Sequence, residues 1–450
     1  MMTVLEAAQI MSGETKGEDV LFSDVSVDTR NLSPGAMYFA IKGERFNGHD
    51  FIQQAINEGA SVAVVDHFSE MNIAQIKVDD TRKALGRLAA GWRQKFGGTV
   101  VGVTGSNGKT TVKEMIAAIL ATQGEVLATR GNFNNDIGLP LTLLRMEEKQ
   151  DYAVIEMGAN HKGEIAELTQ ITKPDIAVIT NAGSAHLEGF GSRQGIAEAK
   201  GEIFSGLGKN GVAVINADDD FSGYWSDICK HKKISYFALD NRKADVKGDW
   251  QPTGKGGKIK ISTRDDDIEI ELKVPGRHNA MNALAAVAVT RAAGISVENI
   301  KQAMDDFGSV KGRLEFVVSK SGATIINDTY NANPESLIAG LEVLAGLAGE
   351  HWLVLGDMGE LGEQTELIHR EMGIKAKDAG VSSLFAIGKN ARASVEAFGS
   401  HGQHFTDQEA LIDCLVNVLR GDLNILVKGS RFMQMEKVVE ALTRGDKPCC

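Results

Sequence analysis

Hydrophobic positions change their spacing along the chain, and the spacing predicts the elements. Thr3 with Glu6 makes a capping-box pattern before VLEAAQIM, which predicts an opening helix. SDVSVDTR and AMYFAIKG alternate as strands do, HDFIQQAINEGA has helical spacing ending in Gly, and SVAVVD is a short apolar strand. In TRKALGRLAAGWRQKF, Leu85, Leu88, Ala89, Trp92 and Phe96 share one helix face, with Thr81 as the expected cap. From Thr99 the strands become continuously apolar (TVVGVTG, YAVIEMG, DIAVITNAG, GVAVINADD) and alternate with helical stretches such as KTTVKEMIAAILATQ and QGIAEAKGEIFSGL. That predicts a parallel sheet covered on both faces. KIKIST and IEIELKV read as a solvated hairpin, and HNAMNALAAVAVTRAAGI as a long helix after it. A third α/β stretch begins near Gly312, with ATIINDTY, HWLVLGDMG, SSLFAIG and LNILVKGS as its strands.

Composition narrows the class without changing that picture. The chain has 450 residues, enough for about three domains. Hydrophobic residues at 43% and charged residues at 24% fit a globular chain and exclude a disordered one. A net charge of −12 argues against a large nucleic-acid-binding face, which needs a basic excess. Cys229, Cys414, Cys449 and Cys450 form no CxxC pair, so neither a zinc cage nor a disulfide framework is expected. No basic stretch precedes an apolar core at the N-terminus, and no apolar run approaches the roughly 18 residues that span a bilayer. The expectation is a cytoplasmic multidomain protein with no nucleic acid and no membrane span.

TVVGVTGSNGKTT carries the strongest chemical signal. A strand runs into Thr104-Gly105-Ser106-Asn107-Gly108-Lys109-Thr110-Thr111, and a helix begins at once. The glycines let backbone N–H groups converge on phosphate oxygens, and the helix N-terminus adds partial positive charge. Lys109 can reach the β- and γ-phosphates of a nucleotide, and the Thr110 hydroxyl suits Mg²⁺. The general phosphate-loop pattern wants Gly five residues before Gly108, where this chain has Val103; its glycines fall at 102, 105 and 108. The fold class read from these patterns is α/β in three domains. They are a mixed α/β domain over 1–82, a central phosphate-loop, parallel-sheet domain over 83–312 and a C-terminal Rossmann-like domain over 313–450.

The glycine spacing in TGSNGKTT resembles the ATP-binding loop of the Mur ligase and folylpolyglutamate synthetase superfamily, whose members use ATP to join an amine to a carboxylate. YAVIEMGAN then places Glu156 at a strand end, where phosphate-loop enzymes present a carboxylate for Mg²⁺. In NAG-x-AHLEGF the resemblance implies that His186 contacts a metal ion, and in AKGEI that Lys200 is a carbamate helping to hold the second Mg²⁺. HNAMNALAA is similar to the adenine-contacting stretch, with Asn282 the matching position and His278 beside it; KGRLE implies Arg313 on the γ-phosphate. DTYNANP resembles the branch that adds D-alanyl-D-alanine to UDP-N-acetylmuramoyl-tripeptide, implying Asp328, Tyr330, Asn331 and Asn333 on the dipeptide. The residue types fit an Asn-rich turn closed by Pro334 equally well. Asp357 in LGDMGELG, and Lys428, Ser430 and Arg431 in LVKGSRFMQME, match the same branch. SVDTRNLSPGAMYFAIKGERFNGHDF is similar to its UDP-sugar domain, with Asp28, Thr29 and Arg30 on the candidate loop. GNFNNDIGLPLTLL places Asn134 and Asn135 at the muramoyl-peptide.

The resemblance implies an ATP- and Mg²⁺-dependent ligase, expected to be a monomer, in which Lys109, His186, Lys200 and Arg313 carry the chemistry. A folate-type ligase is disfavoured by DTYNANP and the DTR-containing first domain, and a GTPase switch by the missing NKxD segment. A non-catalytic relative should have lost metal positions, yet Thr110, Glu156, His186 and Lys200 are all present.

Overall fold

The computed structural model of the protein describes residues 1–43, 45–183 and 187–444, which form three α/β units on separate sheets. The opening helix, Val4–Met11, forms where its capping box predicts: Thr3 Oγ1 accepts the Glu6 N–H, and the Glu6 carboxylate accepts the Thr3 N–H. The first sheet is mixed. Glu14–Lys16 pairs antiparallel with Ala74–Lys77, and Val62–Val65, Met37–Phe39 and Val25–Ser26 continue it in parallel. SDVSVDTR yields only the short strand Val25–Ser26, because the Asp28 carboxylate accepts the Arg30 N–H and turns the chain into the 3-10 segment Thr29–Asn31.

The helix Thr81–Arg93 joins the first unit to the second. Its cap is Asp80 rather than the expected Thr81: Asp80 Oδ1 accepts the N–H groups of Arg82 (2.9 Å) and Lys83 (3.0 Å). A carboxylate at this end also meets the positive pole of the helix, whereas the Thr81 hydroxyl donates to the Ala40 carbonyl, 3.2 Å away. Asp80→Ala is expected to lower stability by about 1 kcal/mol. The urea midpoint checks this, and an unchanged midpoint would show that the cap contributes nothing.

Leu85 and Leu88 of this helix enter one apolar cluster with Met11 and Phe22 of the first unit and Leu139, Leu143 and Met146 of the second. Trp92 Nε1 donates to the Met146 carbonyl at 2.9 Å. The first and central units therefore share a core.

The central sheet runs, among the described residues, in the order Asp267–Leu272, Gly256–Ser262, Val246–Thr253, Lys233–Ala238, Val212–Asn216, Ile176–Ile179, Thr99–Thr104, Tyr152–Glu156, Val126–Ala128. It is parallel from the last of these back to Val246–Thr253 and antiparallel beyond. The predicted hairpin exists, but only one face is solvated. Ile259, Ile261, Ile268 and Ile270 are buried in one cluster with Leu284 and Val287 of the helix Arg277–Ala292. The strand Val246–Thr253, too polar to predict from its pattern, carries the hairpin on the parallel sheet.

The third sheet runs Glu315–Val318, Thr324–Asp328, Leu423–Lys428, Glu350–Gly356, Ser383–Ile387, Gly402–Phe405, parallel except for its first pair. Its two faces bury clusters of their own, sharing no member with the central unit. Among the described residues, the third unit therefore shares no buried apolar cluster with the second. Among the described residues no helix is long and apolar enough to cross a membrane.

Candidate active site

The carboxyl ends of three neighbouring strands converge at the phosphate loop. Register sets Glu156 beside Val103 and Ile179 beside Thr104, so a carboxylate and the Thr180–Asn181 segment flank the loop on either side. Two glycines are required there. Gly108 is left-handed (φ 81°), and a Cβ on it would lie 2.4 Å from Asn282 Oδ1; a Cβ on Gly105 would lie 1.8 Å from Thr180 Oγ1. Asn181 braces the loop: its carbonyl accepts the Ser106 N–H and its Oδ1 the Asn107 N–H, both at 3.0 Å. The helix Lys109–Leu120 starts directly after Gly108, burying Thr110 and Thr111 at its first turn. Lys109 Nζ donates to the carbonyls of Gly105 (2.8 Å) and Ser106 (3.3 Å). Burial pulls its pKa below the usual lysine range, against the opposing pull of Glu156.

A cavity of ≈ 480 Å³ lies between the central and third units, within the size range of small-molecule sites. The central unit lines it with Asn107, Gly108, Thr111 and Asn282, the third with Arg313, Asp328 and Lys428. Asp328 and Lys428, expected on the dipeptide, therefore share the chamber of Asn282, expected on adenine. They are register partners on adjacent parallel strands, which makes a buried ion pair of 2.5 Å between Lys428 Nζ and Asp328 Oδ2. Lys428 also donates to the Asn331 carbonyl at 3.0 Å; burial lowers its pKa and Asp328 opposes that. His278 lines the same chamber, its pKa pulled down by burial to about 4 with Asp328 again opposing, so the ring is neutral near pH 7.

A smaller chamber of ≈ 70 Å³ is closed by Lys109 and Thr110 on one side and Arg313, Asn331, Asn333 and Glu360 on the other. Arg313 Nη2 lies 3.4 Å from Thr110 Oγ1, and Asn333 Nδ2 donates to Asn107 Oδ1 at 2.7 Å. Asn333 is also the cap of the helix Pro334–Ala345, accepting the Ser336 N–H at 2.9 Å, so the turn and the contact with the phosphate loop are one structure. Asn331 Oδ1 accepts the Ala332 N–H. Asp357 Oδ1 accepts the N–H groups of Asn390 (3.0 Å) and Ala391 (2.7 Å), and Ser430 Oγ accepts that of Gly359 (2.9 Å). Ser430 thereby fixes the Gly359–Leu361 loop of the chamber, whereas Asp357 and the turn it holds line neither chamber. Arg431 pairs with Glu436 and stands 6.0 Å from the centre of the Tyr330 ring.

The oxygen donors near the loop suit a hard divalent cation. Glu156 is 2% exposed; its Oε1 accepts from Asn134 Nδ2 at 2.9 Å, while the buried Oε2 has no partner among the described residues. A buried carboxylate oxygen left in that state fits a metal ligand. Thr110 offers its hydroxyl from the adjacent helix. Lys200, on the helix Arg193–Gly201, is 2% exposed; its side-chain nitrogen makes no hydrogen bond or ion pair with any described residue and stands 5.8 Å from the Phe190 ring centre. Burial, and then the charge of Lys109, push its pKa well below the lysine range. His186 lies outside the described residues.

The remaining predicted positions lie apart from both chambers. Asp28 and Arg30 pair with each other through three side-chain contacts, Nε–Oδ1 at 2.9 Å, Nε–Oδ2 at 3.2 Å and Nη2–Oδ2 at 2.6 Å, beside the buried Thr29. Asn135 Oδ1 accepts the Gly138 N–H and starts the helix Gly138–Leu143. Two residues escaped the sequence reading. Asn181 holds the loop, and the half-buried Asp219 lines the larger chamber, its oxygens accepting the N–H groups of Ala182 (2.8 Å) and Phe221 (3.0 Å). Both stand just beyond strand ends, in TNAG and NADDD, which was the only available signal.

The chain is similar to known proteins in sequence and fold. Family models match residues 22–93 (Mur ligase family, catalytic domain), 103–290 (Mur ligase middle domain) and 312–431 (Mur ligase, glutamate ligase domain). The chain is 43% identical over 444 residues to the UDP-N-acetylmuramoyl-tripeptide–D-alanyl-D-alanine ligase of Escherichia coli K12, covering 98% of each chain. It is 38% identical to the ligase of that name from Bacillus subtilis 168, again covering 98% of each. Among solved structures it superposes on MurF from Acinetobacter baumannii with a TM-score of 0.92 at 35% identity, covering 98% of this chain and 99% of that one. MurF of Thermotoga maritima, in complex with ADP, gives 0.85 at 30% identity, covering 95% and 99%.

Proposed function

The chain belongs to the Mur ligase family, and on that premise we propose how its residues divide the work of the reaction. The reaction is the ATP-dependent joining of D-alanyl-D-alanine to UDP-N-acetylmuramoyl-tripeptide, a step of peptidoglycan precursor synthesis. The observation that carries the division is the meeting of the phosphate loop with Arg313 and Asn333 across one polar cleft. The triphosphate lies along the loop, with Lys109 and Arg313 facing it from the two units. The tripeptide carboxylate attacks the γ-phosphorus, ADP leaves, and an acyl phosphate forms. The dipeptide's free amine then attacks the acyl carbon, loses a proton, and expels phosphate. Glu156 and Thr110, with Lys200 as its carbamate, would hold Mg²⁺, which would supply charge neutralisation on the phosphates.

The larger chamber takes the nucleoside, with Asn282 toward the base. Asp328, Lys428 and the neutral His278 line the same chamber, which favours the nucleotide side for them over the dipeptide. Asn331 and the Gly359–Leu361 loop are left for the acceptor end, and Asp28, Thr29 and Arg30 for the UDP. Three reactive groups brought together from separate units call for closure, since water would otherwise hydrolyse the acyl phosphate. One chain supplies all three units, so a monomer suffices. The cytoplasm, where ATP and nucleotide-linked precursors occur together, is the compartment this chemistry needs.

Phosphate release from ATP is expected only when UDP-N-acetylmuramoyl-tripeptide and D-alanyl-D-alanine are offered together. Equal release with a folate and glutamate would move the protein to another branch of the superfamily.

A further inference from the structure

We propose that Tyr330 is a positioning residue that presents Arg313 to the transferring phosphoryl group, rather than a dipeptide contact. The proposal rests on the reading that Arg313 faces the γ-phosphate. The Arg313 guanidinium carbon lies 4.1 Å from the Tyr330 ring centroid, well within the roughly 6 Å over which an aromatic face attracts a cation. Its hydrogen bonds are almost unused. Nε is buried with no partner among the described residues, and the contact of Nη2 with Thr110 Oγ1 is long, at 3.4 Å. A guanidinium with five donors normally takes carboxylate or carbonyl partners when enclosed. Here the ring holds the cation through its face and leaves the in-plane N–H groups for an anion.

The backbone is built around this contact. The Tyr330 N–H donates to the Gly312 carbonyl at 3.2 Å, tying the ring's own residue to the turn that carries Arg313. Gly312 (φ 71°) and Leu314 (φ 50°) are both left-handed, so Arg313 sits between two residues in that region. For Leu this conformation is strained, and it persists only where surroundings enforce it. Leu314 is buried, and its N–H lies 3.3 Å from Asp328 Oδ1. A bent turn anchored at both ends aims one side chain, and Tyr330 fixes where it ends. Arg431 stands near the same ring, 6.0 Å from its centroid.

Steady-state kinetics with ATP, D-alanyl-D-alanine and UDP-N-acetylmuramoyl-tripeptide test this on four variants: Tyr330→Phe, Tyr330→Leu, Arg313→Ala and the double variant Tyr330→Leu with Arg313→Ala. Tyr330→Phe keeps the aromatic face and is expected to retain kcat within about twofold, since ring-face attraction does not need the hydroxyl. Tyr330→Leu should lose roughly 10- to 100-fold in kcat, the order expected for a misplaced catalytic group, with the dipeptide KM unchanged. The double variant should be no slower than Arg313→Ala alone, because both changes remove one function. A raised dipeptide KM with kcat preserved in Tyr330→Leu would overturn the proposal, as would equal loss in the Phe and Leu variants or additive losses in the double. Normal kcat in Arg313→Ala would instead refute the γ-phosphate reading beneath it.

Discussion

Lys109→Ala is expected to lower the ligation rate by roughly 10²–10³-fold, the order lost when one preorganised charge-stabilising donor is removed from a phosphoryl or acyl transfer site. The reason is local. Among the described residues, Lys109 Nζ donates only to the carbonyls of Gly105 and Ser106 within its own loop, and it faces the small chamber opposite Arg313 of the other unit. No apolar cluster includes it, so the variant should fold, with an unchanged thermal midpoint and native circular dichroism. ATP affinity should fall as well, because the β- and γ-phosphates lose a point charge in a partly desolvated site. Phosphate release with both substrates present, measured beside an ATP-binding titration, checks the two effects. A correctly folded variant with normal turnover would remove the nucleotide from this loop.

Lys200→Ala and Lys200→Arg are both expected to lose roughly 100-fold or more in rate, at or above the 10- to 100-fold typical of disturbing a metal site's supporting shell. The buried amine has no anionic partner among the described residues, and burial holds its pKa far below that of a solvated lysine. A neutral amine is the form that adds CO₂, forming an N–C bond and releasing a proton, and the product is the anion a cation site wants. Arginine stays charged and cannot be converted, so it should fail with alanine. Acetate should restore part of the activity to Lys200→Ala by standing where the carbamate was, and acetamide should not. A lysine that merely fills its pocket predicts near-normal rates for Lys200→Arg and no response to acetate. Full activity in Lys200→Arg would end the carbamate reading.

The chain's own pattern determined whatever depends on neighbours in sequence. Strand, loop and helix at TVVGVTGSNGKTT follow from an apolar run, glycines and a helical repeat in unbroken order, and the opening helix from a capping box of four residues. Polar segments were less legible. Val246–Thr253 forms a strand only because the hairpin beside it supplies hydrogen-bond partners and a buried face, and Asp80 displaces Thr81 as a cap because a carboxylate there reaches two amides. The site needed the tertiary structure. Asp328 and Lys428 are separated by 100 positions and become an ion pair only through the parallel register of their strands. Arg313 and Thr110 are 203 positions apart, and Asn333 and Asn107 226, so nothing local to either member announces the contact. Sequence supplied the donors and the charges. Which of them share a chamber was decided by strand order and by how the central and third units meet: among the described residues they share no apolar cluster, and Asn107, Thr110, Arg313 and Asn333 face one another across the cleft.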